Sequence, residues 1–405
     1  MGSSEQRRVL FVVFSDQGHI NPFLAIAQAL EEGGHVVGFA SVQEDVSERL
    51  QRAGLKARMV GRVSAPPPQP AAPGRSLQLG RLLAKPAFAA RWLSINLLDR
   101  VPGDVERVRE AIGDFKPDIV ATDSSAYAGP IAATLEGVPW AGLSTGFFQF
   151  AEARAAERTT DTSNPFAALA PARETLFASF GLRTSFRASD AVSPYLNISF
   201  LSPELARKGG DVFLDVQYVG SALPKGARGD EPPFPWEKLP PDRPIVYIAF
   251  GSLVSHPAEV YRAFVGALGP EEAFFVVSVK DLLDEPFVRE LPDHALAVKY
   301  VPQLAMLERA AVMVNHGGAN SVLECLTFGK PMIVVPMVYD QHVSGLIVER
   351  SGAGLVVPAV ACTPERCRES LRLLLSEGAP AAERAKEVGR ALVGGAGRAA
   401  QLLAR

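Results

Sequence analysis

Cysteine is scarce in this chain. It occurs three times in 405 residues, at Cys325, Cys362 and Cys367. An odd, sparse set offers no disulfide framework and points to a reducing compartment, the cytoplasm. Cys362 and Cys367 lack CxxC spacing and have no companion histidine cluster, which removes the usual zinc arrangement. Long apolar runs are missing too. No stretch of 18 apolar residues occurs, so no membrane insertion is expected. The apolar segment between Val9 and Ser15 turns polar too soon for a signal peptide and reads as a buried strand. Excess positive charge is absent: the formal net charge is −3, which gives no field to draw nucleic acid. Two nucleotide signatures are also missing. There is no Walker A motif, and the turn after the first strand reads SDQGHINP rather than GxGxxG. GGAGRAA at 394–400 meets part of that glycine pattern but follows a helical segment, not a strand.

What is present describes a packed α/β protein. Hydrophobic residues make up 47% and charged residues 21%, as in globular enzymes. The length suits two domains of about 200 residues each. RRVLFVVF is a continuous β-branched and aromatic run, the pattern of a parallel strand covered on both faces. A helix through FLAIAQALEE follows, with Asn21 as its expected N-cap and Pro22 at its first position, ending at Gly33-Gly34. HVVGFAS then reads as the next strand. The same alternation recurs through VERVREAIGDF, PDIVATDSS, AGPIAATLEGV and PWAGLST. The Pro-rich 61–75 stretch reads as a mobile loop. A second Pro cluster at 231–244 reads as a linker, after which PIVYIAFGS restarts the strand–helix pattern. The resulting expectation is an N-terminal domain over 1–225, a linker over 226–244 and a second domain over 245–385. The Ala/Leu/Arg tail over 386–405 is expected to be helical.

The densest chemistry lies between Tyr300 and Gln341. A buried strand ends at Asn315-His316, a Gly317-Gly318 turn follows, and a helix begins near Asn320-Ser321. Ligands of open α/β sheets sit beyond the carboxyl ends of strands. A helix start there presents unpaired N–H groups and the positive end of the dipole to an anion. Glycines let backbone approach a phosphate closely, and His316, Asn320 and Ser321 add donors. Glu324, one turn on, suits the two hydroxyls of a ribose. The alternative is a tight turn and helix cap that binds nothing.

This stretch resembles the signature of the family-one glycosyltransferases, the UDP-glycosyltransferases. The agreement lies at Pro302-Gln303, at HGGxNSxxE over 316–324, and at PxxxDQ ending in Asp340-Gln341. GHINP near the start and YVG at 218–220 agree more weakly. The resemblance implies a GT-B fold: two facing Rossmann-like domains with parallel sheets, donor on the C-terminal one and acceptor on the N-terminal one. It also implies that the last helix packs back on the first domain. His316, Gly318, Asn320 and Ser321 would hold the diphosphate, joined by Gly251 and Ser252. Glu324 would bind the ribose, and Asp340 and Gln341 the transferred sugar. Val301 and Gln303 would flank the base, with Tyr300 standing where the family usually stacks a Trp. Ala319 replaces the Trp of plant members.

His19 is the second centre. It follows the first strand and precedes a helix, so it is expected to point into the interdomain cleft. An acceptor hydroxyl with a pKa near 16 must lose its proton as it attacks, and a histidine is a suitable general base. An orienting carboxylate completes such a pair. Asp123 ends PDIVATD at another strand edge. Asp118 opens that strand, and Asp16 is nearer in sequence. The resemblance implies His19 and Asp123 as the catalytic pair. The competing reading of His19 is a helix-entry residue satisfied by backbone.

Glycosyltransferases often bind metal through Asp-x-Asp, and this sequence contains none. No metal or other cofactor is therefore expected, with helix dipole, His316 and backbone donors stabilising the departing diphosphate. A single displacement would invert the anomeric centre. The expected partners are a UDP-sugar, with glucose the first choice, and a small lipophilic acceptor near Trp92, Phe147 and Phe148. Other readings are a TDP-deoxysugar tailoring enzyme, a non-catalytic sugar-nucleotide-binding accessory protein, a nicotinamide oxidoreductase and a sugar-nucleotide epimerase.

Overall fold

A computed structural model describes residues 5–42, 45–61, 74–147, 165–210, 212–226, 228–229, 231–338 and 340–405. The chain divides into two compact units. One comprises 1–68, 86–230 and 393–405; the other comprises 69–85 and 231–392.

The first unit is built on parallel strands β1 (Arg8–Val13), β2 (Val36–Ser41), β3 (Arg58–Met59), β4 (Ile119–Asp123) and β5 (Trp140–Ser144). A small antiparallel pair, β6 (Phe186–Arg187) and β7 (Asp190–Ala191), precedes β8 (Leu196–Ser199) and β9 (Val216–Tyr218). The main sheet runs β3-β2-β1-β4-β5-β8-β9. Val9 to Val13 of β1 are all fully buried, which explains why this strand is apolar at consecutive positions rather than alternating ones. Helices Gln17–Glu32, Val101–Phe115 and Ala128–Leu135 form the crossovers.

The terminal helix Gly395–Leu403 packs on Gln17–Glu32 in this unit. Its entry depends on a glycine. A Cβ on Gly395 would lie 2.1 Å from the Gly220 carbonyl oxygen, closer than any side chain permits. Arg398 Nε donates to the Val219 carbonyl at 2.6 Å and fixes the same junction.

The second unit repeats the plan with β10 (Ile245–Ala249), β11 (Phe274–Ser278), β12 (Ala295–Val298), β13 (Val312–Asn315), β14 (Met332–Val334) and β15 (Gly354–Val356). Their order is β12-β11-β10-β13-β14-β15, all parallel. Counted from the first strand of each unit, both sheets run 3-2-1-4-5-6 through their first six main-sheet strands, the dinucleotide-fold order. The helix Arg75–Leu83 belongs to this second unit although it lies early in the sequence. Leu77 packs against the core around β10 and β11. Of the Pro-rich 61–75 stretch expected to be mobile, residues 62–73 lie outside the described residues, and Arg75 begins the helix.

One helix start differs from the sequence expectation. The first crossover helix begins at Gln17, so Pro22 sits inside it and Asn21 is not its N-cap. The N–H groups of His19 and Ile20 both bond to the Asp16 carbonyl, at 2.9 and 3.0 Å, and establish the turn one step earlier. Proline costs a helix its bond to the i−4 carbonyl, here that of Gly18. Asn21 instead accepts from Arg49 Nη2 at 3.0 Å.

Candidate active site

In each sheet the strand order reverses between the first strand and the fourth, so the loops leaving these two strands diverge and open a crevice at the carboxyl edge. In the first unit those loops follow β1 and β4. His19 lies in the first turn of the helix after β1, and Asp123 is the last residue of β4.

His19 Nδ1 and Asp123 Oδ2 are 2.7 Å apart. The imidazole is 37% exposed and the carboxylate 1%, so the ring reaches solvent while its partner is sealed beneath it. Asp123 is held from every side. Ser125 donates to Oδ1 through its N–H at 3.0 Å and its hydroxyl at 2.7 Å. Thr145, just beyond β5, donates to Oδ2 at 3.0 Å, and its oxygen lies 3.1 Å from His19 Nδ1. Burial alone would raise the carboxyl pKa, but the His19 imidazole and the Ser125 donors outweigh it and hold it below the ordinary value. An ionised Asp123 makes Nδ1 the protonated ring nitrogen, which assigns the acceptor role to Nε2. Phe14 meets the ring edge-on at 5.3 Å and limits its rotation.

The other two carboxylates are elsewhere. Asp118 Oδ2 accepts from the Arg8 N–H at 2.7 Å at the opposite end of the sheet. Asp16 is exposed. A third carboxylate unforeseen in the sequence, Asp190, accepts from Ser144 Oγ at 2.5 Å. Burial, with Asp123 nearby, pushes its pKa up to about 6.

In the second unit, Ala249, Ser278 and Asn315 form one row across β10, β11 and β13. Gly251 and Gly317 lie just beyond it in left-handed conformations, φ +76° and +89°. Cβ atoms on Gly251 and Gly318 would each stand 2.5 Å from His316 Nε2. The imidazole is thus received between two glycines, where no other residue type leaves room. Burial drives the His316 pKa down to about 3, with Lys280 and His256 adding repulsion. Its Nδ1 has no hydrogen-bond partner among the described residues. The helix Ala319–Thr327 follows Gly318 without a side-chain cap, so the positive end of its dipole is presented at the carboxyl edge of the sheet.

Glu324 is 3% exposed and accepts from Gln303 Nε2 at 2.6 Å. Gln303 also reaches Ser321 Oγ at 3.4 Å and accepts from the Tyr247 hydroxyl at 3.2 Å. Tyr300 is 44% exposed, while Val301 is buried. Ser252 is exposed and Asn320 half-buried. Asp340 begins the helix Asp340–Ser351. Gln341 is buried, and its Oε1 accepts from the N–H groups of Met337 and Val338 at 2.8 and 3.1 Å, so it shapes the preceding loop. Trp92 is half-buried on the helix Pro86–Ser94 and Phe147 is buried; Phe148 lies outside the described residues.

The arrangement has known counterparts. Residues 265–392 match the family model of the erythromycin biosynthesis protein CIII-like C-terminal domain. The chain is 26% identical to the NDP-glycosyltransferase YjiC of Bacillus subtilis (strain 168), over 89% of this chain and 87% of that protein. It is also 26% identical to the aclacinomycin-T 2-deoxy-L-fucose transferase of Streptomyces galilaeus, over 96% and 92%. The crystal structure of the glycotransferase of kitacinnamycin superposes with a TM-score of 0.77 at 24% identity, covering 98% of each chain. The chain has the GT-B fold, and along most of its length it is similar to family-one glycosyltransferases of the natural-product type.

Three polar groups besides Asp190 carry no mark in the sequence. Thr145 and Ser125 brace Asp123, and nothing in their sequence context marks them beyond position at a strand end. Lys280, two residues past β11, has φ +51° and is 3% exposed, where a lysine after a strand reads as a solvated residue. Among the described residues no helix is long and apolar enough to cross a membrane.

Proposed function

We propose that this protein is a glycosyltransferase that moves a hexose from a UDP-sugar to a hydroxyl of a small lipophilic acceptor with inversion at the anomeric carbon. The observation that carries the reading is the 2.7 Å His19–Asp123 contact at the crevice edge of the first sheet. In this mechanism His19 Nε2 takes the acceptor proton as the oxygen attacks C1. The C1–O bond to the diphosphate breaks with its electron pair on the departing phosphate oxygen. Asp123 keeps the reactive tautomer and stabilises the imidazolium. One displacement turns an α-linked donor into a β-glycoside.

The second unit is assigned to the donor. His316, Gly318, Asn320, Ser321 and the uncapped helix start take the diphosphate, with Gly251 and Ser252 alongside. Charge on the leaving group is neutralised by these donors rather than by a metal, in keeping with the missing Asp-x-Asp motif. Glu324 favours a ribose over a 2′-deoxyribose, because a lost hydroxyl leaves a buried carboxylate short of a donor. Tyr300 and Gln303 flank the base, with Val301 beneath them, and Asp340 and Gln341 meet the sugar. Trp92 and Phe147 line the acceptor side, with Phe148 assigned there from sequence.

A TDP-deoxysugar donor is the second reading. It is favoured by the relative named for transfer of 2-deoxy-L-fucose and by Gln303 already engaging one Glu324 oxygen. Competition between UDP-glucose and TDP-glucose in one reaction separates the two. Preferential consumption of UDP-glucose to a β-glycoside supports the first reading; preferential TDP release supports the second.

A further inference from the structure

The residue row that carries the two donor-site glycines carries a lysine as well. Ala249, Ser278 and Asn315 are aligned across β10, β11 and β13, and two residues beyond each stand Gly251, Lys280 and Gly317. Lys280 is 3% exposed and adopts φ +51°, a conformation uncommon outside glycine. Its Nζ donates to the Val254 carbonyl, in the loop that begins with Gly251-Ser252. Among the described residues it makes no salt bridge. The adjacent acid, Asp281, is committed elsewhere: it accepts from the Ser76 N–H at 2.9 Å and from the Ser76 hydroxyl.

Lys280 is the charged member of a group of three basic side chains, with His256 and His316, whose imidazoles are held neutral. Its charge adds to the burial that lowers the pKa of His256 and of His316. The Nδ1 atoms of both histidines and Asn315 Nδ2 are buried without hydrogen-bond partners among the described residues. Burying an ammonium without a counter-ion is costly, and burying unpaired polar atoms beside it adds to the cost. Such a cluster is balanced when an anion binds next to it. Lys280 therefore differs from a packing residue in two ways: it fixes the 251–256 loop, and it adds a positive charge that Asp281 offsets only through space, with no salt bridge among the described residues.

We propose that Lys280 is a positioning and specificity-determining residue of the donor site, holding the Gly251–His256 loop through the Val254 carbonyl and favouring a nucleoside diphosphate over less charged nucleotides. The proposal rests on assigning the second unit to the donor, and it adds a residue that this assignment does not require.

The test compares binding of UDP, TDP, UMP and uridine to wild-type, Lys280→Gln, Lys280→Arg and Asp281→Asn proteins by calorimetry. Lys280→Gln keeps a donor for the Val254 carbonyl and removes the charge. It is expected to weaken diphosphate binding on the order of tenfold or more while changing uridine binding little. Lys280→Arg should restore most of the diphosphate affinity. Asp281→Asn keeps an acceptor for Ser76, removes the nearest opposing charge, and should tighten diphosphate binding severalfold. This second variant holds the test open if Lys280→Gln does not fold. Equal losses for UDP and uridine in Lys280→Gln would reduce Lys280 to a structural role. Unchanged diphosphate binding in the Lys280→Gln variant, or in Asp281→Asn, would likewise overturn the proposal. A wild-type protein that binds neither UDP nor TDP would overturn the donor assignment itself.

Discussion

Replacing Asp123 by asparagine should disable the enzyme while leaving its donor site intact, and the geometry says why. Asp123 Oδ1 receives two donors, the N–H and hydroxyl of Ser125. An asparagine must place its carbonyl oxygen there, since an amide NH2 would oppose two hydrogens. The NH2 then occupies the Oδ2 position, 2.7 Å from His19 Nδ1. It can only donate to that nitrogen, so the imidazole switches to the tautomer with its proton on Nε2. That tautomer cannot accept a proton from the acceptor. General-base catalysis contributes about 10²–10⁴ in rate, and the analogous tautomer error in a hydrolytic triad costs about 10⁴. A kcat loss of about 10³ to 10⁴, or roughly 4–5.5 kcal/mol of barrier, is expected. Calorimetric nucleotide affinity should stay within about threefold of wild type. Initial rates measured by nucleoside diphosphate release would provide the assay. An acceptor already ionised at assay pH, such as an acidic phenol, should lose much less. A loss below about tenfold with a neutral alcohol would refute the tautomer argument.

Other outcomes follow from the same geometry. Gly251→Ala places a Cβ 2.5 Å from His316 Nε2 at φ +76°; nucleoside diphosphate affinity should fall at least about tenfold, with about 1–3 kcal/mol of backbone strain visible in thermal unfolding. Burial lowers the His256 pKa to about 4, so the unfolded chain takes up the proton first as pH falls. His256 alone should contribute a loss of about 3 kcal/mol of the stability present above pH 6.5 on acidification to pH 4, and His256→Asn should remove that share of the slope in denaturant titrations. Gly395→Val would drive a side chain into the Gly220 carbonyl; the terminal helix should lose its docking and amide exchange should accelerate along 395–403. Chelation by EDTA should leave the transfer rate unchanged within error, and a loss restored by added divalent cation would contradict the metal-free mechanism.

The parallel strands could be read in advance because burial on both faces demands consecutive apolar residues, as in RVLFVV and IVYIA. The His316 turn was legible for a related reason: glycine is the residue that admits φ +89° at Gly317 and the close approach at Gly318. His19 and Asp123 were readable as strand-end polar residues, but their 2.7 Å contact depends on parallel pairing of β1 and β4 across about a hundred residues. The short strands β3, β9 and β15 carry two or three residues each, too few to establish a period. Pro22 misled the helix start because proline at a first helical position and proline one turn inside look alike in sequence. The placement of Arg75–Leu83 in the second unit rests on tertiary bonds from Ser76 to Ser255 and Asp281 that no local pattern announces. Lys280 was hidden for the same reason, since its burial depends on the Val254 loop folding over it.

Acceptor-dependent release of nucleoside diphosphate bears most directly on the central claim. Wild-type and His19→Ala proteins would be incubated with UDP-glucose or TDP-glucose and a panel of lipophilic alcohols and phenols. The account predicts UDP release that requires an acceptor, yields a β-glycoside and disappears in His19→Ala while UDP binding persists. Release that needs no acceptor, an α-glycoside product, or full activity in His19→Ala would contradict it.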